Sequence, residues 1–368
     1  MTDNPQPPDD LAMGTSLDDA LNAEMTETAG LSQAQIVRKR FLRHKGAMFS
    51  LFVLVLIVLL ATTSVGWGPI PGWWKYSYDD LVPRTGDDGG PTMSLRPTWL
   101  GGSGFGLGEH PLGVDNELGK DMFALNMRGV QTSLTIIVVL GLLSTSIGVV
   151  VGALSGYYGK WVDSVLMRFT DVVIVLPLLV ITAVAGYALG LSGKWSVAVA
   201  LGIFTWTGLA RLVRAEFLAL REREFVDAAR VANASNLRII FKHILPNTVG
   251  TIVVSTTLLM GAGLLTEAAL GFLGFGVRSP EVSLGTLVNQ YQGAYETRPW
   301  LFIWPGAFIV AIVLCLQFIG DGLRDAFDPR QKRIPNRKDL DRSGPDPVDE
   351  AMATTAAANV ARQPGDGA

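Results

Sequence analysis

Four ionisable residues lie within or beside long apolar runs, where they could bind a proton or an ion during transport. They are Arg168, Asp171, Glu267 and Asp321. All four lie near the ends of these runs, whereas coupled carriers usually place such residues deep in the membrane. This placement disfavours an autonomous carrier or channel. For Glu267 the sequence predicts a carboxylate bonded to backbone amides of the turn 271–276, with a water-filled cavity as the alternative.

The sequence predicts no catalytic, metal or nucleotide site. A phosphate-binding loop needs G-x-x-x-x-G-K-[ST], but the Gly-Lys pairs at 119–120, 159–160 and 193–194 are followed by Asp or Trp. The histidines, His44, His110 and His243, lie in separate segments and are predicted to be surface or cap residues. The single cysteine, Cys315, is expected to pack inside an apolar helix. We therefore expect a non-enzyme without a cofactor of its own and without a nucleic-acid partner.

A polar insert at residues 221–247 separates two apolar runs and has a clear helical pattern. Apolar residues recur at i, i+3, i+4 and i+7, which predicts an amphipathic helix with a face of small side chains. The face consists of Phe225, Ala228, Ala229 and Ala232, and the charged Glu224, Asp227 and Arg230 lie on other faces. A face of alanines lets a partner protein approach the backbone closely. The alternative is a helix that lies on the chain's own spans or on lipid headgroups.

The same insert contains signals for a turn and a second helix. Asn233 is predicted to end the first helix in the left-handed conformation, and Ser235 to cap the second. Leu237, Ile240, Phe241 and Ile244 would form the apolar face of the second helix. Pro246 is expected to end it.

Composition indicates an all-α membrane protein. Apolar residues make up 49% of the chain and charged residues 17%, below the roughly one quarter of soluble domains. Six runs reach the roughly 20 residues that cross hydrocarbon, at 47–67, 133–155, 165–189, 195–213, 249–270 and 301–320. Basic residues cluster before the first run, in the insert and after the sixth. The positive-inside rule then places both termini and the insert in the cytoplasm.

These runs divide the chain into segments. Residues 1–36 are predicted to be a disordered cytoplasmic tail, 37–46 a basic juxtamembrane segment, 68–130 an extracytoplasmic segment, 131–321 a five-span core and 322–368 a cytoplasmic tail. Ser144, Gly148, Gly152 and Gly156 form a stripe of small residues that predicts close helix packing. Pro177 is expected to bend the third span.

Several ordered motifs between about Arg40 and Arg330 resemble the permease subunits of ATP-binding-cassette importers for dipeptides, oligopeptides and nickel. The insert matches their cytoplasmic signature at Asp227-Ala228-Ala229, Asn233 and Ile244-Leu245-Pro246, with Asp in place of the usual Glu and Asn in place of Gly. Further matches are His110-Pro111-Leu112-Gly113, Gly119-Lys120-Asp121, Glu267-Ala268-Ala269-Leu270-Gly271 and Gly320-Asp321-Gly322.

The resemblance implies a type I importer permease whose insert is the coupling helix to an ATPase subunit. Its contact would use Phe225, Ala228 and Ala229, oriented by Glu224, Asp227 and Arg230, with Asn233 and Leu237 in the same surface. Implied partners are a second homologous permease, two cytoplasmic ATPase subunits that bind ATP and Mg, an extracytoplasmic binding protein and membrane lipid. The implied location is the cell inner (plasma) membrane.

The sequence is also compatible with other functions. A nickel chelate or another small solute would use the same permease motifs as a peptide. An autonomous carrier or channel is disfavoured by the edge positions of the ionisable residues. A membrane scaffold without transport activity would explain the bundle and the insert equally well.

Overall fold

Long helices dominate the part of the chain that the computed structural model describes, residues 33–82, 89–94, 106–115, 118–188 and 193–328. The helices are α1 Gln33–Arg43, α2 Lys45–Ser64, α3 Met122–Tyr158, α4 Lys160–Val175, α5 Leu178–Ala188, α6 Lys194–Thr205, α7 Thr207–Leu220, α8 Glu224–Val231, α9 Asn236–Arg238, α10 Leu245–Phe272, α11 Leu284–Tyr291 and α12 Pro299–Phe327. A π-helical segment, Ile239–Ile244, joins α9 to α10, and a 3₁₀ turn, Gln292–Ala294, follows α11. Two short antiparallel strands, β1 Val114–Asp115 and β2 Lys120–Asp121, precede α3.

Four helical stretches in the described residues are long and apolar enough to cross a membrane, or up to six if each of two bent helix pairs is one span. Two of the stretches, α3 and the run from α9 to α10, contain 37 residues each. At 1.5 Å per residue each is about 55 Å long, well above the roughly 30 Å of hydrocarbon. These stretches are therefore longer than the hydrocarbon layer is thick, and the helices begin before the predicted spans, at Met122 and at Asn236.

The main apolar core lies where α3 meets α2, α10, α11 and α12. Its buried members include Ile57, Met127, Leu264, Leu284 and Ile312. Gly322 brings α12 close to α2, because a Cβ added at Gly322 would lie 2.3 Å from the Cβ of Ala47. Cys315 is buried, as predicted.

The third predicted span is broken at Pro177, as its sequence indicates. Leu176 has extended backbone angles, φ −71° and ψ 127°, as the residue before a proline prefers. The axes of α4 and α5 differ by 83° across this break. The bend is therefore confirmed, and it is sharp enough to make α4 and α5 separate elements.

The fourth predicted span is also broken, by 42° between α6 and α7, which the sequence did not predict. Ser144 on α3 donates a hydrogen bond to the carbonyl of Gly202 at 2.9 Å. An unbroken α-helix would pair that carbonyl with the amide of Trp206. Thr205 in turn donates to its own helix at Leu201, a bond that commonly bends helices. The break therefore lies where α6 contacts Ser144 of α3.

The stripe of small residues on α3 packs closely against another helix, as predicted, and the structure identifies that helix as α7. A Cβ at Gly148 would lie 3.1 Å from the carbonyl oxygen of Trp206, and one at Gly152 would lie 2.5 Å from that of Ala210. A Cβ at Gly156 would meet the Cβ of Phe217 at the same 2.5 Å. The backbones of α3 and α7 are thus in close contact along three turns.

Among the described residues between α2 and α3, several contacts meet at Asp121, the N-cap of α3. Its carboxylate accepts hydrogen bonds from the Ala124 amide at 2.8 Å and from Nε1 of Trp74 at 3.1 Å. His110 Nδ1 lies 2.6 Å from the same carboxylate, and the imidazole is stacked on Tyr76. The prediction that His110 is a surface residue is therefore wrong, because its ring is needed to satisfy a buried acid. His44, in contrast, caps α2 by accepting from the Ala47 amide.

The boundaries of the predicted tails also change. Residues 1–32 and 329–368 lie outside the described residues. Residues 33–36, predicted to be disordered, belong to α1, and α12 extends to Phe327, past the predicted end of the core at 321. Phe41 at the end of α1 lies near Gly322, and His44 is 3.4 Å from Asp325. These contacts hold the end of α1 and the residue that caps α2 beside α12.

Candidate functional site: the insert between α7 and α10

The insert folds as a helix, a left-handed turn and a second helical segment. Asn233 has φ 57°, as predicted for the residue that ends α8. The amide of Ala234 donates to the carbonyl of Ala229 at 3.0 Å, and that of Asn233 to the carbonyl of Arg230 at 2.9 Å. This pair of bonds is a Schellman motif, which satisfies carbonyl groups that the helix leaves free. Asn233 therefore adopts the left-handed conformation that a glycine usually provides at this position.

The second helical segment continues into α10 without a break. Ser235 caps it, as predicted, and its hydroxyl accepts from the Arg238 amide. The prediction that Pro246 ends this helix is wrong, because Pro246 lies in the first turn of α10, where its missing N–H is tolerated. The π-helical turns of Ile239–Ile244 immediately precede it. The helical path thus runs from α9 through the π-helical turns into α10, with Pro246 just after these turns.

One side of α8 packs on the chain itself. Val226 and Ala229, three residues apart, belong to a buried cluster with Val213 and Phe217 of α7 and with Ile240. The predicted small-residue face is therefore wrong in part, since Ala229 points into the protein while Phe225, Ala228 and Ala232 are exposed. Burying the larger Val226 removes more apolar area from water than burying an alanine does. Val226 and Ala229 therefore make up the side of α8 that packs on the chain.

The opposite side of α8, which we call the outer face, consists of Glu224, Asp227, Ala228 and Val231. All four are exposed, and Val231 exposes 89% of its surface. Arg230 is 2.8 Å from Asp227, which gives the face a fixed ion pair at its edge. Leu237 and Phe241, one turn apart in the following segment, are each 61% exposed. The insert thus presents apolar and charged groups together, a mixture typical of protein interfaces.

Two hydrogen bonds that the sequence did not indicate attach the insert to the end of α3. Arg221 Nη1 donates to the carbonyl of Gly156 at 3.1 Å, and Tyr157 Oη donates to Oδ1 of Asn236 at 2.9 Å. Both bonds join the end of α3 to residues that flank α8. They connect positions 65 and 79 residues apart, so no local pattern could have indicated them.

The other candidate residues do not gather at the insert. Asp171 on α4 pairs with Arg211 on α7 at 2.6 Å, and both side chains are about half exposed. Arg168 and Asp321 are exposed on α4 and α12. Pro177 and Glu267 lie on other elements. These residues occupy separate places in the fold and do not form a common ion-binding site.

Glu267 is fully buried where α10, α3 and α11 meet. Ser133 Oγ donates to its carboxyl group at 3.1 Å and accepts from the Leu284 amide at 3.2 Å; Ser283 also interacts with the carboxyl group. The predicted bonding to the turn 271–276 is wrong. The amides of Leu273 and Phe275 bond instead to carbonyls of α10 itself, so they are not available to a side chain.

Glu267→Ala is expected to lower the free energy of unfolding by about 2 to 4 kcal/mol, because it leaves a cavity and takes the acceptor from Ser133. Glu267→Gln keeps the volume and an acceptor oxygen, and should stay within about 1 kcal/mol of wild type. Thermal unfolding in detergent measures both. Thr266→Ala is the control, since the hydroxyl of Thr266 is exposed and bonds only to its own helix among the contacts described. Equal midpoints for Glu267→Ala and Thr266→Ala would contradict the expectation.

Comparisons with known proteins agree with this architecture. The family described as "Binding-protein-dependent transport system inner membrane component" matches residues 148–333, which include the whole insert. The N-terminal TM domain of oligopeptide transport permease C matches residues 32–90.

The similar curated proteins align over most of their length. The oligopeptide transport system permease protein OppC of Mycobacterium tuberculosis (strain ATCC 25618 / H37Rv) is 36% identical over 311 residues, 84% of this chain and 98% of that protein. A putative peptide permease protein of Brucella ovis is 37% identical, over 79% and 89% of the two chains. OppC of Haemophilus influenzae is 33% identical, over 84% and 92%.

A solved structure of the inward-facing MetNI methionine ABC transporter is also similar. It has a TM-score of 0.47 and 22% identity, and the match covers 56% of this chain and 98% of that one. The family match over the core and insert and the near-complete alignment with the mycobacterial permease are consistent with each other. This chain belongs to the family of binding-protein-dependent transport system inner membrane components.

Proposed function

We propose that this chain is one permease subunit of an ATP-driven importer of di- and oligopeptides. The observation that carries the proposal is the alignment with relatives named as oligopeptide and peptide permeases, which extends over 98% of the mycobacterial protein. The exposed outer face of α8 supports it, because a solvent-exposed mixture of Val231, Ala228 and charges is suited to docking on another protein.

In this proposal each bent helix pair is one span, so that six spans cross the inner membrane. Both termini and the insert then lie in the cytoplasm, as the distribution of basic residues indicates. The outer face of α8 docks on one of two ATPase subunits, which bind ATP and Mg; this chain binds no cofactor and catalyses no reaction. A second homologous permease completes the path, and an extracytoplasmic binding protein delivers the peptide.

The mechanism follows from how α8 is held. Its inner side is packed against α7 through Val226 and Ala229, so a displacement of α8 by the ATPase moves α7 with it. Close contact between α7 and the glycines of α3 then transmits the displacement to a helix that crosses the membrane. Alternating access results if these helices have two packed arrangements that nucleotide binding selects.

Uptake of a labelled short peptide tests this function in cells that lack the gene, with and without the restored protein. Restored uptake, together with co-purification of ATPase subunits, is the expected result. Peptide uptake that does not depend on the gene would overturn the peptide assignment, and labelled nickel chelate would then be tested in the same cells. Purification without any ATPase subunit would count against the importer itself.

A further inference from the structure

Asp163 and Arg214 form a two-point ion pair between α4 and α7, close to the insert. Arg214 Nε donates to Oδ1 of Asp163 at 2.5 Å, and Nη2 donates to Oδ2 at 2.6 Å. The hydroxyl of Ser155, near the end of α3, also donates to Oδ1. A planar guanidinium bonded through two nitrogens fixes the orientation of its partner as well as the distance. We call this group, Asp163, Arg214 and Ser155, the clamp.

The clamp joins elements that are otherwise weakly attached. Thr170 is the one buried residue of α4, every residue of which is described, and Phe169 stacks on Trp206 at the junction of α6 and α7, so few apolar contacts within this chain fix the position of α4. The turn before α4 runs through Gly159, whose φ is +63°, and this turn lies beside Arg221. At its other end α4 stops at the Pro177 break. Polar contacts near its start therefore have a large share in positioning α4.

A second ion pair between the same two helices offers a comparison. Asp171 and Arg211 make a single contact at 2.6 Å, and their side chains are 49% and 46% exposed. The side chains of Asp163 and Arg214 are only 19% and 32% exposed. Exposed pairs contribute little, whereas breaking a partly buried pair leaves a poorly solvated charge. Of the two ion pairs, the Asp163–Arg214 pair of the clamp is therefore the one that can fix the orientation of α4 relative to α7.

We propose that Asp163 and Arg214 are positioning residues that make α4 move together with α7 and α8 during transport. α8 is fixed to α7 by Val226 and Ala229, α7 is fixed to α4 by the clamp, and α4 leads to the bend at Pro177. A displacement of the coupling helix would then reach the second half of the broken span through α4. This inference rests on the proposed function, because an ATPase must drive α8.

Arg214→Gln and Asp163→Asn test the clamp in the complete assembly of permeases, ATPases and binding protein in liposomes. Each should reduce the amount of labelled peptide transported per ATP hydrolysed by about tenfold, as expected for coupled residues that lose their interaction. Arg211→Gln, which breaks the exposed pair, should stay within about twofold of wild type. A purely structural role would lower transport and ATP hydrolysis in proportion and leave their ratio unchanged, which would overturn the proposal.

A distance measurement tests the joint motion directly. Spin labels are attached at Ser164→Cys on α4 and at Arg223→Cys beside α8, which are both exposed positions. Protein without these two substitutions is labelled in parallel, so that any signal from the buried Cys315 can be subtracted. In the wild-type background the distance should be narrow and equal with and without ATP and vanadate. In Arg214→Gln it should broaden or shift when nucleotide is added.

The two proposals fail in different ways. If the wild-type assembly takes up no labelled peptide, the proposed peptide function is wrong. The distance between the spin labels still tests the clamp in that case, because this measurement requires nucleotide but no peptide. If the wild-type assembly transports peptide and Arg214→Gln keeps both the narrow distance and the wild-type ratio, the clamp proposal is overturned. Asp163→Asn provides the same test should Arg214→Gln not assemble.

Discussion

Ala228→Trp is expected to abolish transport in a permease that still folds, whereas Ala229→Trp is expected to destabilise the fold itself. Ala228 lies on the outer face of α8, so an indole there projects toward the proposed ATPase and blocks close approach. We expect uptake to fall by at least about tenfold, as for the loss of a central interface contact. Ala229 packs beside Val226 and Phe217, and overpacking there should cost about 1 to 3 kcal/mol.

The two neighbouring substitutions are matched in chemistry and differ only in the side of the helix they occupy. Co-purification of ATPase subunits and the thermal midpoint of the permease in detergent are measured for both. Ala228→Trp should lose the ATPase and keep the midpoint, and Ala229→Trp should lower the midpoint. The opposite pattern would mean that α8 is rotated and that Ala229 faces the partner.

Gly152→Ala is expected to destabilise the bundle by about 1 to 3 kcal/mol, a large effect for one methyl group. The added Cβ would lie 2.5 Å from the carbonyl oxygen of Ala210 and 2.8 Å from the Cβ of Val213. Neither atom is the end of a flexible side chain. α3 and α7 must therefore separate, which also loosens the neighbouring contacts at Gly148 and Gly156.

Gly208→Ala is the matched control on α7, since nothing lies within 4 Å of the Cβ it would add. Alanine is favoured over glycine in a helix, so this change should leave the thermal midpoint unchanged or raise it slightly. Thermal unfolding of both variants in the same detergent gives the comparison. If Gly152→Ala unfolds at the temperature of Gly208→Ala, the close contact between α3 and α7 is not important for stability.

Features that depend on local chemistry were predictable from the sequence. The bend at Pro177 follows from the ring and the missing N–H of proline, and Asn233 and Ser235 act at the caps where their side chains are favoured. The stripe from Ser144 to Gly156 predicted close packing because small residues at a four-residue spacing share one helix face. Nothing in such a stripe specifies its partner, and only the structure identifies α7.

Features that depend on distant contacts were not predictable. The bend at Trp206 lies where Ser144 of α3 donates a hydrogen bond to the carbonyl of Gly202 on α6. The orientation of α8 depends on the cluster that receives Val226, and the surroundings of Glu267 depend on Ser133, 134 residues away. In each case the local pattern allowed two arrangements, and packing from elsewhere in the chain selected one.

The π-helical segment before α10 also has a consequence for the evolution of the insert. A π-helical turn carries one more residue than an α-helical turn and is equivalent to a one-residue insertion in the helix. Six π-helical residues turn the chain about as far as five α-helical residues, so deleting one residue from Ile239–Ile244 would restore an α-helical path and leave the outer face aimed in nearly the same direction. A residue added or removed in a purely α-helical part of α10 would instead turn everything upstream by about 100°. The π-helical segment can therefore absorb a change of one residue in the length of the insert without changing the partner that the outer face can reach.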